Sequence, residues 1–236
     1  MQYKCILSLG IRCFTEIFLK EMKLKKFSSP FDGLYLSSIN DVIYLLEHKI
    51  IENDLIHTQD YKKYNSLNNK WGFRSIHLKL DNLIMNKSNS IEANYHYATF
   101  AHHNLKDKNT INHFKRCFNR LEIIENKKIK TLFCLFILKN YNGYVPIDND
   151  QIKKLSIYLY NKYNCHLLVI YFVGKNEKNE NKKKYSLKIK NEQYSMYEIN
   201  DNGFEFKNVK NELIEIFNNF NIEQKNLLSY EDINKV

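Results

Sequence analysis

Eight consecutive residues decide the fold: Thr131-Leu132-Phe133-Cys134-Leu135-Phe136-Ile137-Leu138. Apolar side chains fall on both faces of this segment, which is typical of a strand buried in a parallel sheet. Helical periodicity follows from Asp148 to Tyr163, and then comes a second apolar run, His166-Leu167-Leu168-Val169-Ile170-Tyr171-Phe172-Val173. Strand, helix and strand in this order predict a right-handed βαβ unit.

Apolar periodicity predicts further strands and helices on both sides of this unit. Predicted strands run from Tyr3 to Leu7, from Ile76 to Leu80, and from Tyr185 to Ile189 and Tyr194 to Ile199, the last two as a hairpin. Predicted helices cover residues 11–24, Ser38 to Glu47, Asp107 to Asn126, and a closing segment with Val209, Leu213, Ile216 and Phe217 inward. Together they predict one three-layer α/β domain over residues 1–236, with a mainly parallel sheet and flanking helices.

Composition and charge narrow the class of protein. The net charge is +10, but Lys, Asn, Ile, Tyr and Phe are all abundant and the densest basic run, residues 175–184, begins with alternating charges. Such a run is typical of a solvated loop, so nucleic-acid binding is the least favoured function. Five cysteines, an odd number, favour free thiols over a disulfide framework. With no apolar stretch long enough for a membrane span and no secretory signal pattern, we expect a cytoplasmic protein.

Cys13 is the strongest candidate for chemistry. It follows the Ser8-Leu9-Gly10 turn at the predicted start of a helix whose apolar stripe is Ile11, Phe14, Ile17, Phe18 and Met22, and it lies off that stripe. Free backbone N–H groups and the helix dipole favour a thiolate there. The N–H groups from Gly10 through Ile11 and Arg12 to Cys13 would hold an oxyanion. A buried cysteine usually packs as a small hydrophobe, the role we assign to Cys5, Cys117, Cys134 and Cys165.

A general base for this thiol is available in the polar segment that contains His96, His102 and His103. If the segment is extended, alternation points only one of the adjacent pair His102 and His103 at the thiol. The structural alternative is that one packs and the other is solvated. A zinc site from His96, His102 and His113 lacks the close spacing of metal-binding motifs, so no metal is predicted.

Asp32 and Asn104 are the candidates for orienting that histidine. Asp32 lies between Pro30-Phe31 and Gly33, so a role in making the turn is a sufficient explanation for it. The functional alternative is the third member of a nucleophile, base and orienter set. The loop from Lys25 to Gly33 is long enough to reverse the rise of the preceding helix, so we expect Asp32 in the same cleft as Cys13.

These segments resemble a known family. The motif Ser8-Leu9-Gly10-x-x-Cys13, the Leu- and Lys-rich helix, Ser29-Pro30-Phe31-Asp32-Gly33 and His102-His103-Asn104 are similar to the family described as putative papain-like cysteine peptidases. The resemblance implies a nucleophile at Cys13 and a base at His102 or His103. It also brings an alternative fold, the α+β arrangement of papain, in which the nucleophile helix packs on an antiparallel sheet.

Two functions from different classes follow. The first is a thiol hydrolase or acyltransferase, peptidase-like, that acts on a peptide or a small acyl or amide substrate without a cofactor. The second is a non-catalytic module whose turn after the first strand binds a phosphate or a sugar nucleotide at a helix N-terminus.

Overall fold

The computed structural model describes residues 2–10, 13–33, 39–48, 55–57, 73–75, 107–138, 149–174, 185–201 and 206–235. The strands in these residues are β1 (Cys5–Ser8), β2 (Leu55–His57), β3 (Phe73–Ser75), β4 (Thr131–Leu138), β5 (Cys165–Phe172), β6 (Tyr185–Lys190) and β7 (Tyr194–Ile199). The helices are α1 (Cys13–Glu21), α2 (Ile39–His48), α3 (Lys108–Asn126), α4 (Asn149–Lys162), α5 (Phe206–Asn218) and α6 (Tyr230–Lys235), with a 3₁₀ turn at Gln224–Asn226.

Five strands form the main sheet in the order β1-β4-β5-β7-β6. β1, β4, β5 and β7 are mutually parallel, and β6 joins β7 in an antiparallel hairpin at one edge. β2 and β3 pair in a separate antiparallel sheet. Of the two predicted arrangements, the mainly parallel α/β one is confirmed, as are the βαβ unit and the hairpin.

Apolar cores cover both faces of the sheet, because successive side chains of a strand point in opposite directions. From β4, Phe133, Leu135 and Ile137 join the core that contains α2, α3 and α4, whereas Leu132, Cys134 and Phe136 join the core that contains α1 and α5. All eight residues of β4 are buried as a result. The sheet is therefore the middle layer of three.

α1 differs from the prediction in its length and its buried face. It ends at Glu21, where Leu24 N–H donates to the Leu19 carbonyl oxygen (2.9 Å) and Lys23 takes a left-handed conformation with φ of 56°. These are the bonds of a Schellman motif, which closes a helix end. The predicted inward position of Ile17 is wrong, because it is 43% exposed.

The side chains of α1 that lie against the sheet are Thr15, Phe18 and Leu19, with Phe14 and Met22 at the margin. Phe14 packs edge-on against Phe172, with ring centroids 5.5 Å apart. This aromatic contact rotates the helix away from the face that the stripe predicts. Cys13 lies off the buried face, as predicted.

The other predicted helices agree closely with the structure. α3 begins after Asp107, whose carboxylate accepts hydrogen bonds from the N–H groups of Asn109 and Thr110, as an N-cap does. The predicted strand from Ile76 to Leu80 lies outside the described residues, although Phe73–Ser75 just before it is extended. The final helix, α6, was not predicted. Among the described residues, no helix is long and apolar enough to cross a membrane.

Candidate active site

The carboxyl ends of β1 and β4 lie side by side, and the helices that follow these two strands pack on opposite faces of the sheet. α1 belongs to one apolar core and α4 to the other. In open α/β sheets, such a divergence of neighbouring connections opens a crevice in which ligands bind. The backbone is tightly held there, since Leu9 N–H donates to the Cys134 carbonyl oxygen at 2.9 Å.

The turn after β1 precedes α1 closely in the sequence. Gly10 N–H donates to Ser8 Oγ at 3.0 Å, and Gly10 has a φ of 73°, a region that favours glycine. The Thr15 hydroxyl donates back to the Gly10 carbonyl oxygen at 3.5 Å. Cys13 is the first residue of α1, so its thiol lies at the helix N-terminus.

Cys13 differs from the other four cysteines in exposure. Its side chain is half-buried, whereas Cys5, Cys117, Cys134 and Cys165 are buried. Burial raises the pKa of the Cys5 and Cys165 thiols to about 12 and of the Cys117 thiol to about 11, and it raises the pKa of Cys134 as well. These four are therefore neutral thiols at physiological pH, in line with the structural role assigned to them.

A second turn, Ser29–Asp32, is hydrogen-bonded to the same end of β1. Ser29 Oγ donates to the Ser8 carbonyl oxygen at 2.8 Å and accepts from Phe31 N–H at 3.2 Å. Ser29 N–H donates to Asp32 Oδ2 at 2.7 Å. The two side chains thus accept hydrogen bonds from backbone N–H groups of the same turn, and the Asp32 N–H donates to the Ser29 carbonyl oxygen at 3.2 Å. Gly33 closes the turn with a φ of 69°.

The Asp32 carboxylate is buried and ion-paired. Lys25 Nζ lies 2.5 Å from Asp32 Oδ2 and 2.7 Å from Glu16 Oε1, so one ammonium group bridges the turn and α1. Burial raises the pKa of Asp32 to about 6, although Lys25 acts in the opposite direction. For Glu16, burial is outweighed by hydrogen bonds from Lys20 and Lys25, which leave the pKa below its usual value.

α3 places a thiol and an imidazole beside the cluster formed by Glu16, Lys25 and Asp32. His113 Nε2 lies 3.6 Å from Cys117 Sγ, and Arg120 Nη1 donates to Cys117 Sγ at 3.5 Å and to the Ser28 carbonyl oxygen at 3.1 Å. The His-x-x-x-Cys spacing on a helix was the available sequence signal for this pair. Burial and the nearby Arg116 and Arg120 lower the pKa of His113, and the Cys117 thiol stays neutral.

The predicted site residues fall into two groups. Gly10, Cys13 and Asp32 are described, and all three belong to segments joined to the carboxyl end of β1. That the Asp32 carboxylate faces Cys13 stays a prediction. The others lie outside the described residues: Ile11, Arg12, His96, His102, His103 and Asn104. Within the described ranges, no three His, Cys, Asp or Glu side chains are grouped as they would be to hold a metal ion.

A family model matches the part of the chain that contains β1, α1, the Ser29–Asp32 turn and β4. It is described as "Putative papain-like cysteine peptidase (DUF1796)" and matches residues 4–142, from the residue before β1 to just beyond β4. The match covers more than half of the sequence, so the chain belongs to this family. No curated protein and no solved structure matches the chain.

Proposed function

We propose that the protein is a thiol hydrolase or acyltransferase of the papain-like peptidase type, with Cys13 as its nucleophile. The observation that carries this proposal is the position of Cys13: it begins α1, follows a glycine turn at the strand ends where connections diverge, and is half-buried. A helix N-terminus stabilises a thiolate, and partial exposure allows a substrate to approach it. None of the other four cysteines combines these properties.

The proposed reaction proceeds in two steps. The Cys13 thiol transfers its proton to His102 or His103, and Sγ bonds to the carbonyl carbon of a peptide or a small amide or ester. The carbonyl oxygen becomes an oxyanion held by backbone N–H groups between Gly10 and Cys13. The proton then passes to the leaving amine or alcohol as the bond to it breaks. Water, or another acceptor, releases the acyl group from Cys13, and Asp32 or Asn104 orients the imidazole throughout.

We expect Cys13 to be alkylated by iodoacetamide at least about tenfold faster than Cys117 near neutral pH, because Cys13 is half-buried at a helix N-terminus whereas burial keeps the Cys117 thiol protonated. Mass spectrometry of the modified peptides, followed over time at several pH values, measures both rates in one sample. Cys13→Ala should abolish the fast phase and Cys117→Ala should retain it. Equal rates at the two thiols would contradict a nucleophilic Cys13.

We expect Asp32→Asn to lower hydrolysis of a fluorogenic peptide or ester by at least about a hundredfold if Asp32 orients the base, since an amide does not stabilise an imidazolium. Asp232→Asn is the matched control, because Asp232 makes the same local bond to a serine N–H, 2.9 Å long, at an exposed position. If the two variants hydrolyse substrate equally well, Asp32 serves only to form its turn.

A second function is favoured by the divergence of the connections after β1 and β4. Such a crevice, with a glycine turn leading into a helix N-terminus, also suits a phosphate or a sugar nucleotide. Protection of Cys13 from alkylation by inorganic phosphate or UDP-glucose, without any turnover of acyl substrates, would favour this binding function over the hydrolase.

A further inference from the structure

Lys25 joins the two segments that carry the proposed nucleophile, Cys13, and a proposed orienter of the histidine base, Asp32. Its backbone N–H donates to the Leu19 carbonyl oxygen at 3.1 Å, which fixes Lys25 at the carboxyl end of α1. Its side chain reaches back along the helix to Glu16 and across to Asp32. Glu16 lies three residues beyond Cys13, one turn along the same helix. Lys25 thus contacts the helix that Cys13 begins.

The bridge is buried on both sides. The side chains of Lys25 and Asp32 are each 8% exposed, and that of Glu16 is 13% exposed. An ammonium group held out of water requires opposite charges, and here it has one from each element. Among the described residues, further charges near this cluster come from Lys20 on α1, which interacts with Glu16 and Asp32, and from Arg116 and Arg120 on α3, which act on the neighbouring His113 and Cys117. Of the cations in the described residues, Lys25 hydrogen-bonds to both the Glu16 and the Asp32 carboxylates.

Lys20 offers an internal comparison. Its ammonium lies 2.5 Å from Glu16 Oε1, as close as any contact of Lys25, but both residues belong to α1 and the Lys20 side chain is 59% exposed. An exposed ion pair within one helix contributes little to stability. Lys20 and Lys25 therefore share a partner and differ in whether they link α1 to the turn.

We propose that Lys25 is a positioning residue, which holds α1 and the Ser29–Asp32 turn in a fixed position relative to each other at the carboxyl end of β1. The proposal rests on the function proposed above, because the relative position of α1 and the turn affects catalysis only if Cys13 and Asp32 act together. Lys25 touches no reacting atom in this role. It fixes the orientation of the Cys13 thiol and the Asp32 carboxylate relative to each other.

The test compares Lys25→Met, Lys25→Arg and Lys20→Met by two measurements. The first is the iodoacetamide rate of Cys13 as a function of pH, and the second is amide hydrogen exchange across α1 and residues 29–33. Lys25→Met should slow alkylation at least about tenfold near neutral pH and raise exchange in both segments. Lys25→Arg should keep the alkylation rate and the exchange close to their wild-type values, since it keeps the charge. Lys20→Met should change neither measurement.

The double variant Lys25→Met/Asp32→Asn covers the case in which Lys25→Met does not fold, because it removes the charges of Lys25 and Asp32 together and leaves Glu16 paired with Lys20. It should show the same faster exchange in α1 and the turn. Wild-type exchange and alkylation in whichever variant folds, or equal effects of Lys25→Met and Lys20→Met, would overturn the proposal. If wild-type Cys13 reacts no faster than Cys117, the proposed function fails. Hydrogen exchange still decides whether Lys25 fixes the position of α1 relative to the Ser29–Asp32 turn.

Discussion

The chain contains two Ser-x-x-Asp turns with the same internal bond and opposite surroundings. Ser29 N–H donates to Asp32 Oδ2 at 2.7 Å, and Ser229 N–H donates to Asp232 Oδ2 at 2.9 Å. The Ser229 turn caps α6 at the surface, whereas the Ser29 turn is buried against β1. Burial raises the pKa of Asp32, and hydrogen bonds from Ser229 lower the pKa of Asp232. The comparison shows that the motif sets the local shape and the surroundings set the acidity.

The serine hydroxyls also differ in what they bind. Ser229 Oγ donates to its own partner, Asp232, at 2.7 Å, so that turn is complete in itself. Ser29 Oγ donates to the Ser8 carbonyl oxygen and thus ties its turn to β1. Substitutions at matching positions of the two turns should therefore have unequal effects.

The largest difference is expected at the third position of the motif. Phe31 is fully buried, so Phe31→Ala should lower the free energy of unfolding by about 3–5 kcal/mol. Glu231 is exposed, and Glu231→Ala should change the free energy of unfolding by less than about 0.5 kcal/mol. Urea denaturation of the two variants measures both values. Similar midpoints for the two would show that the buried turn contributes no more to folding than the exposed one.

The second difference is in the sign of the pH dependence of stability. The pKa of Asp32, about 6, lies above its usual value of 3.8, so the folded protein retains a proton that the unfolded chain loses between these values. The contribution of Asp32 to the free energy of unfolding should therefore fall as the pH rises from about 4 to about 6, and Asp32→Asn should gain about 3 kcal/mol relative to wild type across this window.

Asp232→Asn should show the opposite slope, because the lowered pKa of Asp232 makes its carboxylate stabilising above the usual pKa and less so as the pH falls. Thermal or urea unfolding at pH 4, 5, 6 and 7 separates the two variants. Parallel pH profiles for them would contradict the different surroundings inferred for the two carboxylates.

The smallest difference is expected at the serines. Ser29→Ala removes a buried donor to Ser8 and a buried acceptor for Phe31 N–H, so it should cost about 2–3 kcal/mol. Ser229→Ala removes an exposed helix cap, at a cost of about 1 kcal/mol. Ser29→Ala should also speed amide exchange of Phe31 and Asp32, which distinguishes a released turn from a general loss of stability.

The sequence predicts the central elements well because their periodicity and their environment agree. β4 is apolar at each position after Thr131 and is buried on both faces, and α3 buries the residues that its pattern places inward. Ile17 was assigned wrongly because periodicity shows which residues share a face and not how aromatic contacts rotate a helix. Phe14 and Phe18 meet Phe136 and Phe172, and this packing leaves Ile17 outside.

The candidate site was predictable only in part. Cys13 and Asp32 carry recognisable local signals, a glycine turn before a helix and a Pro-Phe-Asp-Gly turn. Lys25 carries none, since a lysine after a helix normally indicates solvent exposure. Its burial depends on Glu16 and Asp32 meeting in space. The contact between His113 and Cys117 likewise depends on which face of α3 packs inward.

The pairing of β1 with β4 places half the chain between two neighbouring strands. Cys5 is aligned with Thr131, whereas β4, α4 and β5 follow one another directly. Closing so long a loop is costly in chain entropy, and contacts distant in sequence form slowly. During synthesis, β1 cannot pair with β4 until residues 131–138 have been made. The turn and the helix that follow β1 therefore reach their final packing late, so for much of its elongation a nascent chain lacks the half-buried environment that surrounds Cys13 in the folded protein.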